Sequence, residues 1–147
     1  MPHSNPGLWL PEEHAKNLAK LAELEQTQAN YQQLIQLRNT AITNYLSTHF
    51  PQEQQVELAE LIALRPTQRN SDQLTEQFRA VWAKLRTKYG PHWAEPTRQL
   101  LLEYALLNAY ESRLAQTQSR LEVIHYDQQF LQMRLNKYQA QIEQSPK

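Results

Sequence analysis

The residues of this chain that could bind a metal or transfer a proton are few and scattered. Glu122 and His125 form an E-x-x-H pair in a helical pattern, the unit that supplies two ligands to di-iron sites in four-helix proteins. Such a site needs a second E-x-x-H and further inward-facing glutamates, and the sequence contains no second copy. We therefore expect a surface pair at this position, with no metal site and no cofactor.

Residues suited to nucleophilic catalysis are also missing. The chain has no cysteine, and its two glycines, Gly7 and Gly90, stand alone instead of forming a loop that could hold a phosphate. Its glutamates follow the pattern of solvated helix faces. We expect that the protein is not an enzyme, and the absence of cysteine fits a reducing compartment.

A basic stretch, residues 65–98, is the strongest electrostatic signal in a chain whose formal net charge is zero. Its basic side chains alternate with aromatic ones, a combination that suits phosphate contacts and base stacking. Helical spacing favours another interpretation, in which the aromatic residues form the buried face of a helix and the charged residues form its solvent-exposed face. Nucleic acid is therefore the alternative partner, through the candidate contacts Arg79, Lys84, Arg86 and Lys88.

The composition predicts the elements that must position these residues. Gln, Leu, Ala and Glu are abundant, glycine and valine are scarce, and this balance favours helix nearly everywhere. The fold class predicted is all-α. No segment approaches the roughly 20 apolar residues of a membrane-spanning helix, and the first residues do not resemble a signal peptide, so we expect no membrane partner and a cytoplasmic location.

Prolines and turn residues divide the chain into helices within one domain, residues 1–147. Pro11 followed by two glutamates is typical of a first helical turn. Gly90 and Pro91 are typical of a helix end. The predicted segments are an N-terminal lead over 1–10 and helices over 11–50, 51–64, 71–89 and 97–144.

Two of these helices carry long apolar seams with alternating steps of three and four residues. Such spacing places one stripe along a helix and requires a partner helix to cover it. The longer seam comprises Leu107, Tyr110, Leu114, Thr117, Leu121, Ile124, Gln128, Leu131, Leu135, Tyr138 and Ile142. The seam of the first helix comprises Leu21, Leu24, Gln28, Tyr31, Ile35, Arg38, Ile42 and Tyr45. We expect an antiparallel, coiled-coil-like hairpin of the first and fourth helices, with the two shorter helices forming a small head.

The register of this hairpin is predicted from its polar positions. One alignment sets Tyr45 against Leu121 and Leu24 against Ile142, and places Arg38 opposite Gln128. Sliding by a heptad would leave more buried polar groups without partners. We therefore expect Arg38 and Gln128 to form a polar layer that fixes the register.

A second apolar stripe on the fourth helix predicts an interface. It lies away from the seam, and the predicted register places apolar residues of the first helix beside it. The combined patch is Leu34, Leu37, Val123, Tyr126, Phe130 and Met133. We expect a homodimer through this patch; the alternative is that Phe78, Val81 and Trp82 of the same chain cover it. The function predicted is a helical adaptor, assembly or scaffolding component that binds itself and another protein.

Overall fold

The computed structural model describes residues 6–65 and 72–144, with the side chains of 9–65 and 75–143. Four α-helices occupy these ranges: α1 Pro6–His49, α2 Gln52–Ala63, α3 Asp72–Tyr89 and α4 Ala94–Gln144, with a 3-10 turn over Pro91–Trp93 before α4. The described residues include no β-strand. The all-α prediction is confirmed, and the long C-terminal helix packs against the long N-terminal helix as an antiparallel hairpin.

The chain divides into two compact units. Unit 1 comprises Met1–Gln32 and Ser112–Lys147, and unit 2 comprises Gln33–Glu111. Each unit contains a stretch of α1 and a stretch of α4, and unit 2 also contains α2, α3 and the 3-10 turn.

Unit 2 has the larger apolar core. Leu61 of α2 and Leu100 of α4 are completely buried, and Ile42, Leu58, Leu85 and Trp93 join them. The aromatic side of α3 packs against this core, as its helical spacing predicts, and the Trp82 and Trp93 rings lie 4.8 Å apart. Burial of such side chains contributes roughly 1.5–3 kcal/mol each, which is what holds the short helices in place.

Polar bonds fix the chain where α1 ends and α4 begins. Tyr45 donates its hydroxyl to the Pro96 carbonyl oxygen at 3.0 Å. Gln55 of α2 donates its side-chain amide to the carbonyl oxygens of Leu46 and Phe50. These two hydrogen bonds satisfy carbonyl groups at the C-terminal end of α1. The first turn of α4 is therefore already paired with α1, and α4 begins at Ala94, earlier than the predicted residue 97.

Gly90 ends α3 as its sequence predicts. It has φ 85° and ψ 177°, a backbone conformation that glycine adopts almost exclusively, and its amide donates to the Arg86 carbonyl oxygen at 2.9 Å. A Cβ added there would meet no atom within 4 Å, so only the backbone conformation favours glycine.

Unit 1 is a thinner antiparallel pair. Leu21 and Leu24 of α1 are buried with Leu121 of α4, and Ile124 packs against them. His14 Nε2 lies 2.7 Å from Gln132 Oε1, and His125 Nε2 lies 4.0 Å from Glu25 Oε1. Because a pair of helices excludes little water, few of the described residues of unit 1 are fully buried.

The predicted start of the first helix at Pro11 is wrong, because α1 begins at Pro6 and Pro11 lies inside it. Proline lacks the amide hydrogen that would bond the Gly7 carbonyl, so the helix loses one hydrogen bond here. Tertiary contacts offset that loss. Leu10 is 1% exposed, and the Arg134 guanidinium lies 5.2 Å from the centre of the Trp9 ring.

The predicted register is also wrong. Arg38 donates through Nη1 to Glu103 Oε2 and not to Gln128. Leu24 is buried with Leu121, the residue predicted to oppose Tyr45. A carboxylate satisfies a guanidinium better than an amide does, and pairing at Glu103 also buries Leu100, which lies before the predicted seam. The buried Gln128 Oε1 has no hydrogen-bond partner among the described residues.

Candidate functional site

The residues of the predicted dimer patch are all exposed on the helices that carry them. Phe78, Val81 and Trp82 pack against the core of unit 2, so they do not cover the patch as the alternative proposed. The exposed set is Leu34, Leu37, Val123, Tyr126, Phe130 and Met133. Only the incorrect register placed its α1 and α4 members side by side, so they are not one surface on that ground.

Within unit 2, the contact between Arg38 and Glu103 implies that Leu34 and Leu37 lie on the same side of the helix pair as two leucines of α4. Leu37 directly precedes Arg38, and Leu102 directly precedes Glu103, the residue that Arg38 contacts. In an antiparallel pair of right-handed helices, residues that precede inward-facing positions turn to the same side of the pair. Leu34 and Leu106 obey the same rule, because each precedes a residue of the core, Ile35 or Leu107. We call Leu34, Leu37, Leu102 and Leu106 the leucine face.

The leucine face is open to solvent. Leu37 and Leu102 are 61% and 63% exposed, and Leu34 and Leu106 about 40%. The opposite side of the same helix pair is covered: Tyr104 packs against the core, and Arg65 lies over its ring at 5.0 Å and donates to Asn108 Oδ1 at 2.8 Å. Helix α2 therefore covers one side of the pair and leaves the leucine face uncovered.

The sequence prediction missed Leu102 and Leu106. Their spacing of four residues, one position before Glu103 and Leu107, was a readable signal. It could be used only once the partner of Arg38 was known, because the register decides which stretch of α4 lies beside Leu34 and Leu37.

The remaining members of the predicted patch form a stripe on α4 in unit 1. Val123, Tyr126, Phe130 and Met133 are each at least half exposed. The Arg134 guanidinium lies 5.9 Å from the Phe130 ring centre and 5.2 Å from that of Trp9. A cation within about 6 Å of two ring centres stabilises this end of the stripe, and it also puts a charge among the apolar side chains.

The candidate nucleic-acid contacts divide into two groups. Arg79, Lys84 and Arg86 are exposed on α3. Lys88 is engaged: its Nζ donates to Glu57 Oε1 at 2.6 Å, and the Tyr89 hydroxyl donates to the same oxygen at 2.5 Å. Nucleic-acid binding by this segment remains a prediction, in which Arg79, Lys84 and Arg86 make no ion pair within 4.0 Å among the described residues while Lys88 is paired with Glu57.

The Glu57 contacts shift three pKa values. The hydrogen bond from Lys88, followed by that from Tyr89, holds the pKa of Glu57 below its ordinary 4.5. The bond to Glu57 raises the pKa of Lys88 above 10.5 and the pKa of Tyr89 above 10.0. The charged carboxylate and ammonium favour each other, so this cluster ties α3 to α2.

Glu122 and His125 lie on α4 in unit 1, and both are exposed. His125 points toward Glu25, 4.0 Å away. Across the described residues, no group of three metal-ligating side chains lies close enough to hold an ion. No helix in the described part of the chain is both long enough and apolar enough to cross a membrane.

Comparison with known proteins adds no family: no family model, curated protein or solved structure matches this chain.

Proposed function

We propose that this protein is a non-enzymatic helical interaction protein that self-associates through the leucine face and serves as an adaptor or assembly component in the cytoplasm. The observation that carries the proposal is an uncovered apolar surface built from two helices, whose opposite side is covered at Tyr104 and Asn108. Full burial of a leucine side chain contributes roughly 1.5–3 kcal/mol, and these four, about 40–63% exposed, would forgo a corresponding part of it in water. Apolar patches of this kind mark interaction sites on proteins.

The charges around the leucine face favour a second copy of the chain as the partner. Residues 33–41 and 102–109 contain one charged residue each, Arg38 and Glu103, and these two pair with each other. Two copies can therefore meet about a twofold axis without opposing like charges. Twofold pairing is the commonest symmetry of protein oligomers, and two helix pairs packed in this way would form a four-helix layer.

Sedimentation velocity over a range of concentrations tests the proposal. The wild type should be a dimer at micromolar concentration, and Leu37→Asp with Leu102→Asp should be a folded monomer, because the axis would bring the new charges together. Circular dichroism checks the fold. Leu18→Asp is the matched control, since Leu18 is 49% exposed but lies on unit 1. A wild type that stays monomeric at high micromolar concentration would refute self-association.

A further inference from the structure

A cleft opens on unit 1 between the α1 segment 20–31 and the α4 segment 113–120. It encloses about 500 Å³, large enough for a small organic anion. Three basic side chains line it, Lys20 from α1 and Arg113 and Arg120 from α4, with Glu23 as its one carboxylate. Leu24 and Tyr31 add apolar surface.

The cations of this cleft are not neutralised by the protein. Some basic residues of the described chain have a carboxylate partner, as Arg38 has Glu103 and Lys88 has Glu57. Within the described residues, Lys20, Arg113 and Arg120 make no ion pair within 4.0 Å, and neither does Glu23. The cleft therefore carries an excess of positive charge in a chain whose formal net charge is zero.

The spacing of the two arginines indicates the kind of anion. Arg113 and Arg120 lie two turns apart on one side of α4, about 10.5 Å along the helix axis. Gln116 lies between them and offers a neutral amide donor, while Lys20 approaches from α1. A single phosphate would engage one end of this row, but linked phosphates would engage both, and the guanidinium fork matches phosphate oxygens.

We propose that this cleft binds an anion with two or more linked phosphate groups, either free or as part of a nucleotide. The guanidinium groups of Arg113 and Arg120 hold the phosphates, and Lys20 adds charge from the opposite helix. Glu23 opposes the anion and limits its affinity. The cleft shares no residue with the leucine face or with the candidate nucleic-acid contacts of α3.

Isothermal titration of the full chain with inorganic tripolyphosphate at low ionic strength tests the proposal. The wild type should bind saturably, and the affinity should fall as salt rises, because the contacts are ionic. Arg113→Glu with Arg120→Glu should lose at least about tenfold in affinity, and Glu23→Gln should gain a few-fold.

Arg79→Glu with Arg86→Glu is the matched control, since these arginines are also exposed and seven residues apart on one helix, and the change in net charge is identical. The control should keep the wild-type affinity within about twofold. Because all four arginines are exposed, both variants should fold, which circular dichroism checks; Arg113→Gln with Arg120→Gln provides a milder second variant.

A second titration identifies the source of the phosphates. Equal affinity for ATP and tripolyphosphate would show that the phosphates alone are recognised. Tighter binding of ATP would indicate that its base contacts the apolar surface of Leu24 and Tyr31. Both outcomes support the proposal. It is overturned if the wild type shows no saturable binding at millimolar tripolyphosphate, if the α3 control loses as much affinity as the cleft variant, if Glu23→Gln weakens binding, or if an acidic peptide binds more tightly than tripolyphosphate.

Discussion

Arg38 of α1 donates through Nη1 to Glu103 of α4, and both side chains are about three-quarters withdrawn from water. This ion pair lies within unit 2 and fixes which stretch of α4 faces the second half of α1. Glu103 precedes the predicted partner Gln128 by about seven helical turns. The pair therefore also decides which leucines lie beside Leu34 and Leu37.

We expect Arg38 and Glu103 to be coupled in stability. Glu103→Leu alone should lower the free energy of unfolding by about 1–3 kcal/mol, because it leaves a partly buried guanidinium without its partner. The double replacement by leucine should cost less than the sum of the two single changes. Thermal or urea unfolding of the four proteins measures this coupling. The exposed pair Glu13 and Lys16 is the control, and its removal should change stability by less than about 0.5 kcal/mol.

Gln128→Leu should stabilise the protein. Gln128 Oε1 is buried and accepts no hydrogen bond from the described residues, so a leucine of similar size would remove an unsatisfied polar group from the α1 and α4 seam. The expected gain is about 1 kcal/mol, or roughly 2–4 °C in melting temperature for a chain of this size. Arg38→Leu should instead lower the melting temperature, because it leaves Glu103 without its partner. If Gln128→Leu lowers the melting temperature, Gln128 has a partner that this packing does not include.

Pro11→Ala should strengthen the first turns of α1. The alanine restores an amide hydrogen for the Gly7 carbonyl and removes the clash of the proline ring, and the interior cost of proline in a helix reaches about 3 kcal/mol. Hydrogen exchange should slow over residues 7–15, and the melting temperature should rise. Pro51→Ala is the control, because Pro51 is the N-cap of α2 with φ −59° and loses no helical bond. Faster exchange in Pro11→Ala would contradict this account of the helix start.

The Glu57 cluster should give stability a predictable pH dependence. The pKa of Glu57 is lowered in the folded state. Its contribution to the free energy of unfolding is therefore fully present above about pH 4.5 and is lost as the pH falls through the pKa of the folded state. The pKa of Lys88 is raised, so its contribution is present below 10.5 and is lost as the pH rises through its folded value.

The difference in melting temperature between wild type and Glu57→Gln should therefore be constant between about pH 5 and pH 10 and shrink at both extremes. Glu60→Gln, an exposed glutamate on the same helix, should show a small difference at every pH. A Glu57→Gln difference that persists unchanged at pH 3 would exclude Glu57 as the titrating group.

Much of the architecture follows from local rules that the sequence states directly. Scarce glycine and valine with abundant helix formers predicted an all-α chain, and Gly90 with Pro91 predicted the end of α3. The aromatic spacing of α3 predicted its buried side. These features depend on residues within one or two turns of each other, so the sequence alone determines them.

Register and surface depended on contacts between distant segments. Heptad seams repeat every seven residues, so many alignments of α1 and α4 bury similar apolar area, and the choice rests on a few specific pairs. Glu103 and Leu100 lie before the seam that the sequence suggested, and the bond between Tyr45 and Pro96 starts the helix pairing earlier still. Likewise, Pro11 stays helical because burial of Leu10 and the contact of Trp9 with Arg134 outweigh its local preference.

The sequence by itself determined that this is a helical protein with two long, seam-bearing helices and two short ones. Only the tertiary structure decided that Arg38 meets Glu103, that Leu102 and Leu106 join Leu34 and Leu37, and that Lys20 meets Arg113 and Arg120 across a cleft. The physical reason is that helix propensity and periodicity are summed along the chain. The partner of a side chain is instead chosen by burial, charge and hydrogen bonding between segments that are far apart in sequence.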